Sequence, residues 1–600
     1  MLFLLPLLLP LGLLLPGYFL ARCLRQSLWG ASAFVLSLPI LFHCVFWLGI
    51  LGVPIKLGTV LPLLIAASGA AAWAQRRFSP PAQKSPKTPW TRQERTLFLS
   101  AGVVGAILLV DSVRSPLNGS DATFRWDFLA HRLLAVGNFN FYPPFHAADF
   151  QNYFYVDGIP PMVSFARWWL YASAGEYLPW LICLSVAAEF AGTLAFVYGA
   201  ASALFSRRAG VLAAAILAAS PLFFRAVLLG QETGLTALSI AAMLYFIVTA
   251  RQPKDVRAMV SAGLAAALCA LSREYGWIAL VAGLIALVWR RQALKQVFVF
   301  AAVAAAVAAP WYVRNWTLFG NPFYSLRFGG FAVNPVHDAF LQFYKRYLGV
   351  QTWTAANWVS IFLLILGLAI PQVLAGIPGG FRHFRRYGYL IVIALLLVGV
   401  WFLSVGYTSG GVEISLRVLS PALAVLSITA AGALEALMCR ARWRIPVWIA
   451  VGACLFWTAA QGVFYPASPF SVRPEEWLSK AFPVILPPGE FQLRDQLVKT
   501  LPRGYRVLSD SAYLHAALID AGIEVVPVWS PEVRFIFSST AEESEQRLGA
   551  LRIGIVVLAP RTMNGALLAS ASPFYASLPR RWRVLGHSGD DLFVLVPGTP

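Results

Sequence analysis

The chain has 600 residues, 58% of them hydrophobic, and a mean hydropathy of +0.67. These values exclude an ordinary soluble globule and indicate a polytopic membrane protein. The formal net charge of +20 does not point to nucleic acid, because the cations punctuate apolar runs instead of clustering on one polar face.

Apolar runs near the ~20 residues that cross a bilayer recur from the first residue to about residue 465. Residues 1–21 are apolar up to Arg22 and Arg25, with neither a basic start nor a small-residue cleavage site, so a retained first helix is expected. Further spans read at 30–53 and 57–74. Residues 75–95 then carry Arg76, Arg77, Lys84, Lys87, Arg92, Arg95 and several prolines, a basic linker expected on the cytoplasmic side. The run 96–111 takes the chain out again.

Later runs fall at 179–204, 209–224, 231–250, 258–272, 275–289, 296–311, 357–378, 388–406, 417–438 and 445–465. Basic clusters at Arg207/Arg208, Arg251/Lys254/Arg257, Arg290/Arg291/Lys295, Arg382/Arg385/Arg386 and Arg440/Arg442/Arg444 occupy alternate junctions, all on the side of the linker. That regularity predicts about fourteen spans with both ends outside. The short run 209–224 and the junction at Arg273 are where helices are expected to be broken or re-entrant.

Outside lie the loops 112–178 and 312–356 and everything after residue 465. The chain thus divides into N-terminal helices with the linker (1–95), a membrane core (96–465) and an external unit (466–600). In the last, 506–509, 524–528 and 553–558 read as strands, 513–521 as a helix, and 582–586 with 592–596 as a hairpin around Gly589-Asp590. It has no phosphate-cradling glycine loop and no nucleophile elbow. Six cysteines (Cys23, Cys44, Cys183, Cys269, Cys439, Cys454) lie in or beside apolar runs, so no disulfide framework is expected.

Residues 118–163 concentrate acids in a chain where charge is scarce: Asp121, Asp127, Asp149 and Asp157. Asn118 or Ser120 is placed to cap a helix from Asp121. Trp126, Leu129 and Leu133 recur at helical spacing, a stripe suited to the membrane surface. Asp127 and His131 share another face. Asp121 reads either as a helix-end charge paired with Arg125 four residues on, or as a working carboxylate.

Here a family resemblance enters. Asp121-Ala122-Thr123-Phe124-Arg125-Trp126, followed by Ile159-Pro160-Pro161-Met162-Val163, resembles the first external loop of GT-C glycosyltransferases of the protein O-mannosyltransferase and aminoarabinose-transferase type. Ala122 stands where that family often has Glu, and Ile159 where it often has His. Leu271-Ser272-Arg273-Glu274-Tyr275 resembles its helix–basic–aromatic–helix segment. Pro310-Trp311-Tyr312-Val313-Arg314-Asn315, followed by Gly320-Asn321-Pro322-Phe323-Tyr324, resembles another of its segments. Arg417 before Pro421 resembles its late Arg…Pro helix. The likeness covers most of 96–600 and implies a GT-C membrane fold with a small C-terminal α/β unit.

It also implies a donor sugar on a polyprenyl phosphate, taken from the bilayer, and a glycan, lipid or protein acceptor. Phosphate leaves readily, so charge stabilisation matters more than a general acid. Arg273, Arg314 and Arg417 are the candidates to receive it. Asp121 is the candidate general base in a single inverting displacement, with Asp127 the second candidate. Glu232, Trp126 and Tyr312 are candidates for substrate contact. The plainer readings are a snorkelling Arg314, an Arg417 paired with Glu413, a helix-capping Glu232 and an interfacial aromatic belt. No cofactor is required; a divalent metal, if used, would draw on Asp149, Asp157, His131 and His146. The Arg-rich, Lys-poor, Ala-rich composition points to a bacterial inner membrane with the site facing the periplasm. The rival functions are a lipid or polysaccharide transporter or flippase, and a ligase using a diphosphate-linked oligosaccharide.

Overall fold

The computed structural model describes residues 4–78, 89–117, 121–250, 255–324, 326–382, 384–407, 411–464, 488–588 and 592–597. Among them, eight helices are long and apolar enough to cross a membrane, and eleven if each of three bent pairs is one span. Three shorter apolar helices, Glu232–Val248, Val256–Ser272 and Glu274–Trp289, lie between these spans. The bent pairs are Leu5–Leu13 with Leu15–Cys23 (42°), Arg207–Ala218 with Pro221–Leu228 (67°), and Pro335–Thr352 with Ala355–Leu368 (86°).

The two breaks expected from sequence have local causes. At Ser220-Pro221 the serine hydroxyl accepts from the Phe223 amide, capping a new helix, and proline cannot continue the old one. At Arg273 the backbone is extended, with φ −160° and ψ 153°, between the helix Val256–Ser272 and a short 3-10 turn at Glu274–Trp277. Each break ends a helix inside the protein and brings polar side chains to a buried level.

The C-terminal unit is a five-stranded sheet of order β2-β1-β3-β5-β4. Its strands are β1 (Arg506–Ser509), β2 (Val525–Pro527), β3 (Ile553–Leu558), β4 (Trp582–Ser588) and β5 (Leu592–Pro597). The first three are parallel, which requires the helical crossovers that connect them; β3–β5 and β5–β4 are antiparallel, as the hairpin pattern predicts. The turn residues Gly589 and Asp590 lie outside the described residues.

Among the described residues, two large hydrophobic cores result, beside a small cluster of Ala21, Leu24 and Leu36. One fills the helical bundle. The other is built by the sheet together with Phe150, Phe154 and Val156 from the loop 112–178 and Tyr324, Val336 and Phe340 from the loop 312–356. The loop 112–178 is thus packed between the bundle and the sheet. Trp529 Nε1 donates to the Phe154 carbonyl at 2.7 Å, and the Phe154 ring packs on His515 and Trp529. Phe154 is 2% exposed. Phe154→Ala is expected to destabilise this junction by about 3 kcal/mol or more. Thermal unfolding of the purified protein, read alongside protease sensitivity of the C-terminal unit, checks it.

Candidate active site

The site begins where the helix Arg92–Arg114 ends. Residues Ala122–Asp127 form a π-helical turn that runs into the helix Phe128–Val136, stopped by Gly137 at φ 73°. The Ser164 hydroxyl donates to the Trp126 carbonyl at 2.8 Å, so the widened turn is held from the helix Met162–Ala174. The expected surface-lying stripe is not found: Trp126, Leu129 and Leu133 are all buried. An apolar stripe reads the same whether lipid or protein covers it, and here protein does. The expected cap at Asn118 or Ser120 lies outside the described residues.

Asp121 sits among guanidinium groups. Arg417 Nη2 donates to its carboxylate at 2.6 Å, and Arg125 Nη1 lies 3.6 Å away. Arg125 Nε donates at 2.6 Å to Asp157, which also accepts from the hydroxyls of Tyr142 (3.0 Å) and Tyr153 (3.3 Å). Arg273 lies between Glu232 (3.6 Å) and Glu274 (3.4 Å), with its guanidinium over the Trp126 ring at 5.8 Å. Burial would raise the Asp121 pKa, but the charges of Arg125, Arg417 and Arg273 outweigh it and hold it at about 2. The carboxylate is therefore ionised at neutral pH.

The cluster keeps spare hydrogen-bonding capacity. Trp126 Nε1, Glu232 Oε2, Arg273 Nη1, Tyr275 Oη and Arg417 Nε are buried without a hydrogen-bond partner among the described residues. Buried polar groups are normally satisfied, so these atoms, gathered on and around Arg273 and Arg417, are free to hydrogen-bond a water or a polar ligand.

Two likenesses bear on this geometry. Residues 159–313, which begin at Ile159-Pro160-Pro161 and include Glu232 and Arg273, match the Dolichyl-phosphate-mannose-protein mannosyltransferase family. Among solved structures, the chain resembles ArnT from Cupriavidus metallidurans bound to undecaprenyl phosphate: 15% identity, 84% of this chain and 98% of that one covered, TM-score 0.50. ArnT in the apo state gives 14%, 84%, 98% and 0.51. The archaeal oligosaccharyltransferase AglB from Archaeoglobus fulgidus, in complex with an inhibitory peptide and a dolichol-phosphate, gives 12%, 85%, 75% and 0.51. No curated protein sequence matches the chain.

The chain has the GT-C glycosyltransferase fold. The resemblance read from the loop motifs is borne out by the fold and by the family match over residues 159–313. The structure also shows why those motifs belong together. Trp311 Nε1 and Asn315 Nδ2 both donate to the Gly158 carbonyl, at 3.1 and 3.3 Å. A Cβ on Gly158 would lie 2.9 Å from Tyr324 Cβ, so the late segment clamps the loop just before its two prolines.

Not every candidate joins the Asp121 cluster of this GT-C core. Asp127 is 1% exposed and faces elsewhere: the Tyr171 and Tyr177 hydroxyls donate to it, the latter at 2.5 Å, and Arg167 Nη1 is 3.7 Å away. It anchors helices and is not reachable as a base. His131 stacks on the same Tyr177 at 4.4 Å, which accounts for the shared face. Tyr312 is buried, donating to the Ala270 carbonyl at 2.6 Å, and so pins a helix end instead of facing a substrate.

Arg314 is buried against the Phe139 and Trp311 rings, with Nη1 unpartnered and no ion pair among the described residues. Tyr142 stacks on Trp311 and donates to Asp157, so it stands between Arg314 and the main cluster. Arg417 pairs with Asp121; the Glu413 side chain, its other expected partner, lies outside the described residues.

The metal-ligand set is corrected. Asp149 accepts from the backbone amides of Phe145 and His146, Asp157 is engaged by Arg125, and His131 lies on Tyr177. No group of three His, Cys, Asp or Glu side chains with metal-binding geometry occurs among the described residues. Of the aromatic residues between 311 and 328, read as an interfacial belt, Trp316 and Phe328 are exposed, as a belt requires, whereas Trp311, Tyr312 and Tyr324 are buried.

Arg125, Glu274 and Tyr142 were not among the residues picked from sequence. Arg125 had a local signal, its spacing from Asp121. Its stronger partner, Asp157, is 32 residues away and has none. Asp157→Ala would leave the buried Arg125 guanidinium with the longer Asp121 contact as its one ion pair among the described residues. Breaking such a pair is expected to cost about 3–5 kcal/mol, measurable as a lowered unfolding temperature in detergent.

Proposed function

We propose that this chain transfers a sugar from a polyprenyl-phosphate-linked donor to an acceptor hydroxyl of a glycan, lipid or protein, with inversion. The site faces the periplasm of a bacterial inner membrane, across about fourteen spans with both ends external. The observation that carries the reading is the convergence of one ionised carboxylate, Asp121, with Arg125, Arg273 and Arg417 from three separate stretches of the chain. The likeness to ArnT bound to undecaprenyl phosphate and to AglB with a dolichol-phosphate supports the donor class.

In this reading the acceptor oxygen attacks the anomeric carbon while its proton passes to Asp121. The bond from that carbon to the phosphate oxygen breaks, and the electron pair leaves on the phosphate. Arginine holds its charge and forks onto phosphate oxygens, so Arg273 and Arg417 stabilise the leaving group, with Arg314 the nearby cation without a carboxylate. A carboxylate held at about 2 is a weak base. It strengthens as the donor phosphate takes Arg417 away from it, which ties proton removal to donor binding.

Two experiments test this. Asp121→Asn is expected to lower kcat by about 10²–10⁴-fold while leaving polyprenyl-phosphate binding intact, the range for loss of a general base. Full sugar transfer by that variant would remove the proposed base.

The second is a pH profile. The folded Asp121 pKa of about 2 lies below the unfolded value of about 3.9, so its pairing stabilises the fold above pH 4 and that contribution is lost as pH falls toward 2. By the same sign, kcat/KM should show no acid limb from this group between neutral pH and about pH 4. Arg417→Gln removes one of the charges holding the pKa down, and its acid limb should move up toward neutrality. An unmoved limb would show that Arg417 does not control the base.

A further inference from the structure

A second buried charge cluster lies behind the site. Arg167, on the helix Met162–Ala174, is 1% exposed. Its Nη2 donates to the Gly230 carbonyl, while Nη1 stands 3.7 Å from Asp127 Oδ1 and has no hydrogen-bond partner. Across from it, Glu189 Oε2 and Ser185 Oγ, both on the helix Ile182–Leu204, are also buried and unpartnered. These three side chains and Gly230 line one cavity of about 10 Å³. About that volume, with two to four polar partners, is what a buried water needs.

Gly230 has φ +59°, and a Cβ there would lie 3.2 Å from Arg167 Nη2. The left-handed turn at Gly230 starts the helix whose first residue is Glu232, the partner of Arg273. Its neighbour Thr233 is fastened twice, donating to the Ala226 carbonyl at 2.7 Å and accepting at its own carbonyl from Ser420 at 3.0 Å. Ser420 directly follows the short segment that carries Arg417. The Gly230 turn is therefore the hub between Glu232, Arg273 and Arg417, and Arg167 is what ties that hub to the loop 112–178.

We propose that Arg167 is a positioning residue: with a water shared with Glu189 and Ser185, it locks the Gly230–Glu232 turn against the loop anchored by Asp127, and so sets where Arg273 meets the donor phosphate. A fork is needed for this, one nitrogen on the Gly230 carbonyl and the other toward Asp127 and the water. Lysine keeps the charge but cannot make both contacts. The part that invokes the donor rests on the function proposed above; the water and the lock do not.

The test uses the full chain in lipid nanodiscs, as wild type, R167K, E232Q and R167K/E232Q, titrated with a polyprenyl phosphate. R167K is expected to weaken binding about tenfold, within the range for directly coupled neighbours. In the E232Q background the same change should cost less than about twofold, because the route to Arg273 is already cut. Equal losses in both backgrounds, or wild-type binding by R167K, overturn the proposal. A high-resolution structure of the wild type provides a second measurement that needs neither a folded variant nor a donor. A water within hydrogen-bond distance of Arg167 Nη1, Ser185 Oγ and Glu189 Oε2 supports the proposal, and its absence overturns it. A wild type that binds no polyprenyl phosphate yet shows the water would refute the donor assignment and leave the lock standing.

Discussion

Burying a charge is costly unless it is paired, and the Asp121 cluster is arranged around that cost. Asp121, Asp157, Glu232 and Glu274 are matched against Arg125, Arg273 and Arg417, and among the described residues Glu274, beside Arg273, is the one member of the set whose ion pairing is wholly local. Because three of these five pairs join different stretches, those ion pairs double as cross-braces. The loop 112–178 is held to the Leu416–Leu419 segment through Arg417, and the Glu232 helix is held to the Arg273 junction. In the proposed function, the charges that meet the phosphate leaving group are also those that hold the cluster in shape.

Packing serves the same end. The loop contributes Trp126, Leu129 and Leu133 to the bundle core, and Phe150, Phe154 and Val156 to the core of the sheet. Phe124 lies between, 5.4 Å from the Tyr513 ring of the C-terminal unit. A loop committed to two cores has little freedom, which is the preorganisation that charge stabilisation needs. Broken helices complete the arrangement. The interruptions at Pro221 and Arg273 end helices inside the protein, where backbone and side-chain polar groups find protein partners instead of lipid.

Much of this was legible in the residues. Hydropathy and the spacing of basic clusters predicted many apolar spans, and the strand pattern 506–509, 524–528 and 553–558 with a terminal hairpin matches β1, β2, β3 and the β4–β5 pair. The motif order gave the family resemblance, and Asp121, Arg273, Arg417, Glu232 and Trp126 do come together. Other readings did not survive. Asp127 stood close to Asp121 along the chain, but the π-helical turn rotates it toward Tyr171 and Tyr177. Asp149, Asp157 and His131 shared a loop and were set in three different environments. Arg167 and Glu189 carried no motif at all.

Composition, apolar period and motif order by themselves determined the class of the chain: a membrane-embedded GT-C fold, where it breaks, and which carboxylate is the first candidate. These depend on neighbours in sequence and on the transfer of segments between water and lipid. Which acids face which arginines was decided only by the tertiary structure. Pairs such as Arg125–Asp157, Arg417–Asp121 and Arg167–Gly230 are 32, 296 and 63 residues apart, and no local propensity encodes them. They exist because burying a guanidinium costs least where the fold has already delivered a carboxylate or a carbonyl to receive it.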